Sequence, residues 1–201
     1  MLGQLMQEAV MPQPDHISKL GVADPADLPE DLRALWDKCL GKLGFVPNVF
    51  AALSLKPQRL RNFVQTYNEI MLSDSGLSKL EREMIAVVVS AANRCYYCLV
   101  AHGAAVRLLS GDPDLGEMLA LNYRVAALDA RQRAMLDFAH KLTVTPCLIG
   151  DEDRAALRGA GFSEADVFDI AETTALFNLS NRMASATDMM PNREYHTAGR
   201  G

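Results

Sequence analysis

Four residues in this chain have types and spacing suited to chemistry: two cysteines, a histidine and a glutamate. In "EREMIAVVVSAANRCYYCLVAHGAA", residues 81–105, Cys95 and Cys98 are separated by two residues and His102 follows Cys98 by four. Glu83 precedes Cys95 by twelve. The whole chain holds four cysteines and four histidines, so three of these eight stand within eight positions. Successive helical residues turn by about 100°. On a helix, Cys95, Cys98 and His102 therefore share one narrow sector with Leu99, Val106 and Leu109. Both thiols and the imidazole would face apolar neighbours, in a small and partly dry pocket.

Two effects can acidify a thiol there, and they select different nucleophiles. Cys95 falls in the first helical turn, where the helix dipole favours a thiolate. Cys98 lies one turn before His102, which can accept its proton. Either choice allows a Cys95–Cys98 disulfide, since a CxxC at a helix start suits one. Glu83 stands on the preceding helix, whose residues are almost all apolar from Met84 onward. A carboxylate there is costly without a partner. His102, a thiol through water, Arg82 and Arg94 are the candidates. A relay in which Glu83 orients His102 and His102 deprotonates a thiol is an economical explanation.

Other readings compete. Zinc could take Cys95, Cys98, His102 and Glu83, but a structural zinc site usually draws a second ligand pair from a distant turn. The chain has no second CxxC and no HxxxH, so no metal is expected. A chance CxxC beside a core histidine is the purely structural reading. Cys39 and Cys147 stand alone and read as ordinary buried cysteines.

The elements that must position these residues are helices. No segment alternates strictly between apolar and polar residues, so no strand is expected. Ser78-Lys-Leu-Glu81 is a capping box for a helix to about Ala92. "AANR" breaks it, with Asn93 a plausible N-cap, and the CxxC helix runs from about Cys95 to Ser110, stopping at Gly111. Asp27-Leu-Pro-Glu30 has the form of another capping box, opening a helix through Trp36. Pro57 starts a helix through Met71 with an apolar face at Leu60, Phe63, Val64 and Tyr67. Further helices are expected from Pro113 to about Val125, over 129–143, over 151–159 and over 163–187. The reading is an all-α fold of about eight or nine helices: an N-terminal arm over 1–26, one helical domain over 27–190 and a tail over 191–201 without a packing pattern. "LSKLEREMIA" and "LDARQRAMLD" hint at a degenerate internal repeat, in which Ala134 replaces Glu83. Asn178 and Asn181, in an otherwise apolar helix, either line the pocket or tie helices together. Phe45, Pro47 and Phe50 wall a substrate channel or pack in the core.

Composition narrows the function classes. The net charge is −5, with no basic stripe, which disfavours a nucleic-acid partner. No apolar run approaches the roughly 20 residues of a membrane span. The first ten residues lack the basic and apolar regions of a secretory signal, so a cytoplasmic location is expected.

With Glu83, Cys95, Cys98 and His102 laid out, the chain resembles the AhpD-like group of the carboxymuconolactone decarboxylase superfamily, and within it the peroxidase-related, alkylhydroperoxidase-like proteins. "GFVPNVFAALSLKPQRL", "LSKLEREMIAVVVSAANRCYYCLVAHGAAVR" and "DIAETTALFNLSNRMA" carry the resemblance over about residues 15–190. It implies an all-helical fold, homo-oligomers, and reduction of peroxides by a thiol or dithiol donor without haem, flavin or metal. It also implies roles: Cys98 as peroxidatic thiol, Cys95 as resolving thiol, His102 and Glu83 as proton relay. One departure stands out. Where the best-known members have a histidine just before the second cysteine, this chain has Tyr97, a poor base at neutral pH that a regular helix would point away from the Cys/His sector. A non-catalytic oligomer with a redox-sensing CxxC, or a decarboxylase-like enzyme, are the alternatives.

Overall fold

The computed structural model describes residues 12–200. Among them are nine α-helices, four short 3-10 helices and no strand. The helices are α1 (Glu30–Leu43), α2 (Asn48–Leu53), α3 (Pro57–Leu72), α4 (Lys79–Ala92), α5 (Tyr96–Ser110), α6 (Leu115–Asn122), α7 (Ala130–Val144), α8 (Asp151–Gly159) and α9 (Glu164–Ala186). The all-α expectation holds.

Helix α4 is the axis of the fold. Its residues 81–90 are buried without a break, and it packs against α5, α6, α7 and α9. A helix apolar on nearly every side is stable only when covered on every side, and four neighbours do this within the one chain. Its start is fixed by the expected box: Ser78 Oγ accepts from the Glu81 N–H and a Glu81 carboxylate oxygen accepts from the Ser78 N–H. Asp129 and Gln132 open α7 in the same way, and Ser163 and Asp166 open α9. Gly111 ends α5 at φ +70°, a left-handed cap that glycine adopts without steric cost.

Helices α1–α3 form a cover beside this bundle. Leu28, Leu32, Trp36, Ala51 and Leu60 make their own small core, separate from the main one. The cover meets the bundle mainly through α3, which touches α4 and α9, and also through Val49 of α2, which packs against Tyr97 of α5.

Four local expectations fail for identifiable reasons. The box at 27–30 does not form. Asp24 caps a 3-10 turn at Pro25–Asp27, and α1 starts after Pro29, whose side chain cannot accept a hydrogen bond. Asn93 is not the N-cap of α5. It ends α4, and Cys95 takes the N-cap position. Cys147 is exposed in a 3-10 turn, Pro146–Leu148, rather than buried. The tail is packed: Asn192 Oδ1 accepts from the Asn48 N–H at 2.7 Å, and Arg107 donates to the carbonyls of Tyr195 and Ala198. These are backbone and polar contacts, which leave no hydrophobic period in the sequence. Arm and tail also meet, with Gln13 Nε2 donating to Pro191 O at 2.8 Å and Arg193 donating to Asp15 Oδ1 at 2.6 Å.

Candidate active site

A tight α4–α5 turn places the dithiol. Arg94 adopts φ +53°, uncommon for a residue with a Cβ, and the Cys95 N–H donates back to Ser90 O at 2.9 Å. Cys95 at the N-cap and Cys98 one turn into α5 are both buried, at 2% and 3% exposure.

One turn further, His102 Nδ1 donates to Glu83 Oε2 at 2.6 Å. Both side chains are largely buried, so this charge-assisted bond is screened little by water. It fixes the tautomer and leaves Nε2 free to exchange a proton. The Phe177 ring meets the imidazole edge-on, with centroids 4.6 Å apart. Of the candidate partners for Glu83, histidine is the one found. Arg82 instead turns to the carbonyls of Met71 and Ser73. The structure thus gathers Glu83, Cys95, Cys98 and His102 into one place.

An amide network braces the turn from behind. Asn93 Nδ2 donates to Asn178 Oδ1 at 3.1 Å and to Asn181 Oδ1 at 2.9 Å. Asn181 Nδ2 donates to Ser90 Oγ at 2.9 Å, and Asn178 Nδ2 to Thr143 Oγ1 at 3.1 Å. Asn181 therefore ties α9 to α4, and its amide favours the thiolate form of both cysteines. Two amides in an apolar helix were the signal for this network. Ser90 and Asn93 gave no sign of their parts in it.

The thiols differ electrostatically. Cys95 is lowered to about 7, first by the hydrogen bond from the Cys98 thiol, against the cost of burial, with help from the Cys98 backbone N–H, His102 and Asn181. Cys98 is raised, first by that same bond and then by burial. One proton thus leaves the pair near neutrality, and the remaining one is shared between two sulfurs.

Access differs the other way. A cavity of about 750 Å³, mainly apolar, lies between α5, α9 and the α1–α3 cover. Cys98 and His102 line it, and Cys95 does not. Pro47 and Phe50 line it too, while Phe45 packs edge-on against the lining residue Tyr195. Tyr97 also faces the cavity rather than turning away, and its hydroxyl accepts from the Val49 N–H at 3.0 Å. Burial holds its phenol well above the ordinary value, so it stays protonated. Tyr67, read in the sequence only as part of an apolar helix face, and Tyr195, unremarked there, complete a tyrosine wall, each raised first by burial. Among the described residues no group of three or more His, Cys, Asp or Glu side chains is arranged to hold a metal ion. No helix described is long and apolar enough to cross a membrane.

Fold and site together define a helical dithiol protein. The profile of the carboxymuconolactone decarboxylase family matches residues 57–141. An uncharacterized peroxidase-related protein from Silicibacter sp. TM1040 is 56% identical, covering 94% of this chain and 100% of its own, with a TM-score of 0.90. Another from Ralstonia eutropha JMP134, described as an alkylhydroperoxidase AhpD core, is 45% identical over 94% of this chain and 99% of its own, with a TM-score of 0.91. The debrominase Bmp8 is 19% identical over 93% of this chain and 97% of its own, with a TM-score of 0.74, a likeness of fold alone. No curated protein matches the chain. The chain belongs to the carboxymuconolactone decarboxylase superfamily, among its AhpD-like, peroxidase-related proteins.

Proposed function

We propose that this protein is a thiol-dependent peroxidase that reduces organic hydroperoxides through a Cys95–Cys98 dithiol/disulfide cycle. The observation that carries the reading is that Cys98 and His102 open together on an apolar cavity while Glu83 holds the imidazole.

One thiolate is shared by the pair, and in the proposed cycle the proton it gives up is passed to His102. Transfer of the remaining proton from Cys98 to Cys95, across their hydrogen bond, puts the charge on the sulfur that faces the substrate. Cys98 Sγ attacks the terminal peroxide oxygen and the O–O bond breaks. The leaving alkoxide takes its proton from the His102 imidazolium and departs as alcohol. Cys98 is now a sulfenic acid. Cys95 Sγ attacks it, an S–S bond forms, and the hydroxyl leaves with the Cys95 proton as water. Two electrons have passed from the two sulfurs to the peroxide. An external thiol or dithiol returns them.

Cys98 is the attacking atom because access decides between two sulfurs that share one charge. The low value on Cys95 supports its second role, since a resolving thiol must ionise to attack. Tyr97 is no base, so the relay consists of Glu83 and His102 alone. We infer a cytoplasmic location, where reduced thiols regenerate such a pair, and a homo-oligomer, for which the exposed Phe168 on α9 and Leu121 on α6 offer apolar surface outside the cavity.

The deciding experiment is hydroperoxide consumption with a dithiol donor, by wild type and by Cys98→Ser. Turnover lost in the variant, with Cys95→Ser trapping a sulfenic acid on Cys98, is the expected result. Wild-type sulfenic acid formation on Cys95 in Cys98→Ser would reverse the two roles.

A further inference from the structure

The cavity has a direction, and one face of α3 carries it. Arg59, Asn62, Phe63, Thr66 and Tyr67 all line the cavity. Their spacing of three, four, seven and eight from Arg59 is that of a single helix face. Lys56, the N-cap of α3, lines it beside Arg59. Lys56 and Arg59 are exposed and stand at the end of this face farthest along the helix from Tyr67. At the other end Tyr67 is half-buried and close enough to Glu83 and Cys98 for both to raise its phenol further beyond the effect of burial. Eight residues at about 1.5 Å each set Arg59 and Tyr67 about 12 Å apart along the helix axis. Between the ends the opposite wall is apolar, with Leu176, Phe177 and Met183 from α9.

The charge along this path has one sign. Among the described residues no Asp or Glu side chain lines the cavity, and Lys56 and Arg59 have no ion-pair partner. Arg61, on a different face of the same helix, is by contrast engaged by Asp31 at 2.6 Å. Two exposed cations at one end of an apolar channel that leads to a thiol match one kind of molecule. It has an anionic head, an apolar chain and a reactive group well removed from the head. At about 750 Å³ the space suits a ligand larger than hydrogen peroxide or a short alkyl hydroperoxide.

We propose that the site takes amphipathic hydroperoxides bearing a carboxylate, with the carboxylate held by Lys56 and Arg59 and the peroxide delivered along α3 to Cys98. The proposal rests on the peroxidase reading for its chemistry, though not for its ligand geometry. Lys56 and Arg59 are specificity residues. They touch the head of the substrate and are remote from the reacting atoms.

Two measurements on the reduced full chain test it, with wild type and the Lys56→Gln/Arg59→Gln double variant compared. Both positions are exposed, so the variant keeps its core. The first is calorimetry with laurate and with dodecanol. Laurate should bind wild type and bind the variant about ten-fold more weakly, the scale of two exposed ion pairs, while dodecanol binds both alike. The second is turnover of linoleic acid hydroperoxide and of its methyl ester. The KM of the acid should rise about ten-fold in the variant, with kcat and all constants for the ester unchanged. Equal laurate binding by both proteins, or none by wild type, overturns the proposal. Charge-dependent laurate binding without hydroperoxide consumption would sink the peroxidase reading and leave the anion-selective end of the cavity standing.

Discussion

The floor of the cavity and its roof are built on different physical terms. The floor, from α4, α5 and α9, is polar and paired: Glu83 with His102, Ser90 with Asn181, Asn93 with both Asn178 and Asn181. It sits against the most deeply buried helix of the molecule. The roof, α1–α3, has a small core of its own and joins the bundle chiefly through α3. Beside Lys56, Arg59, Asn62 and Thr66, its cavity side carries aromatic and aliphatic groups, with Phe50, Phe63 and Tyr67 in successive contact at 6.4 and 5.9 Å between ring centroids. A site can thus separate its tasks. Proton transfer needs donors and acceptors held in fixed geometry, which buried hydrogen bonds supply. Admission of an apolar substrate needs shape and dryness, which a loosely joined cover supplies. Changes to the floor should act on thiol reactivity, and changes to the roof on substrate affinity.

The largest effects should fall on the floor. Cys98→Ser should reduce peroxide turnover to background, read as loss of hydroperoxide by iodometric assay. His102→Ala removes the proton carrier and should cost about 10²–10⁴-fold in kcat/KM, the usual range for general acid–base groups. Glu83→Gln leaves the imidazole in place without its carboxylate and should cost less, about ten-fold. The double variant should be little worse than His102→Ala alone, because members of one relay are not additive. Fully additive losses would mean that Glu83 acts through another partner.

Asn181 lies at the next level. Asn181→Ala strands the Ser90 hydroxyl and one of the Asn93 contacts in a buried setting, which should cost about 1–3 kcal/mol in urea unfolding. It should also raise the apparent value of the thiol pair, since Asn181 stabilises the thiolate of Cys95. The sign is testable by pH. Cys95 is lowered to about 7 in the fold, against about 8.5 for a free thiol. Alkylation of the reduced protein by iodoacetamide should therefore rise through pH 7 and level off above it. The same depression contributes stability that is fully present above the unfolded value and is lost as pH falls through the folded one. In Asn181→Ala the alkylation midpoint should move upward. An unmoved midpoint would make the amide network a brace between helices and nothing more.

Much of the floor is legible in the sequence, because its chemistry is concentrated. Cys95, Cys98 and His102 fall on one helix, and a glutamate in an apolar helix demands a partner. What could not be read is which partner, since Arg82 and Arg94 are both nearer to Glu83 along the chain than His102 is. Only the packing of α4 on α5 turns Glu83 to His102 and Arg82 to the carbonyls of the α3–α4 connection. The cap of α5 was misread because Asn is the stronger N-cap residue by type, yet Asn93 is held by α9, which lies 85 and 88 residues away in sequence. The roof was legible as helices and, at Pro47 and Phe50, as one of two readings for a channel wall. Tyr195 reaches the cavity from a tail with no hydrophobic period, and Tyr97 reaches it because Val49 on α2 needs an acceptor for its N–H. Both depend on contacts across long sequence separations. The covered surfaces of α4 show the same limit. An all-apolar helix signals burial, but not whether the same chain or a second copy buries it, and here α5, α6, α7 and α9 do.

The smallest expected effect is the one that tests the separation of floor from roof most sharply. Phe63 lines the cavity between Phe50 and Tyr67 and is only half-buried. Phe63→Ala removes two aromatic contacts, each worth about 0.5–1.5 kcal/mol beyond area burial. Partial exposure keeps the loss in overall stability at the low end of that range. For a bulky apolar peroxide such as cumene hydroperoxide, KM should rise several-fold, because a wall of the apolar channel is gone. For hydrogen peroxide, which gains nothing from an apolar wall, KM should hold. The alkylation midpoint of the thiols should hold as well, since no hydrogen bond of the floor passes through Phe63. A midpoint that shifts in Phe63→Ala would show that the roof sets the dryness around the thiols, through Tyr67 and its closeness to Glu83 and Cys98. Roof and floor would then be one electrostatic unit, and substrate closure over the cavity would itself tune the nucleophile.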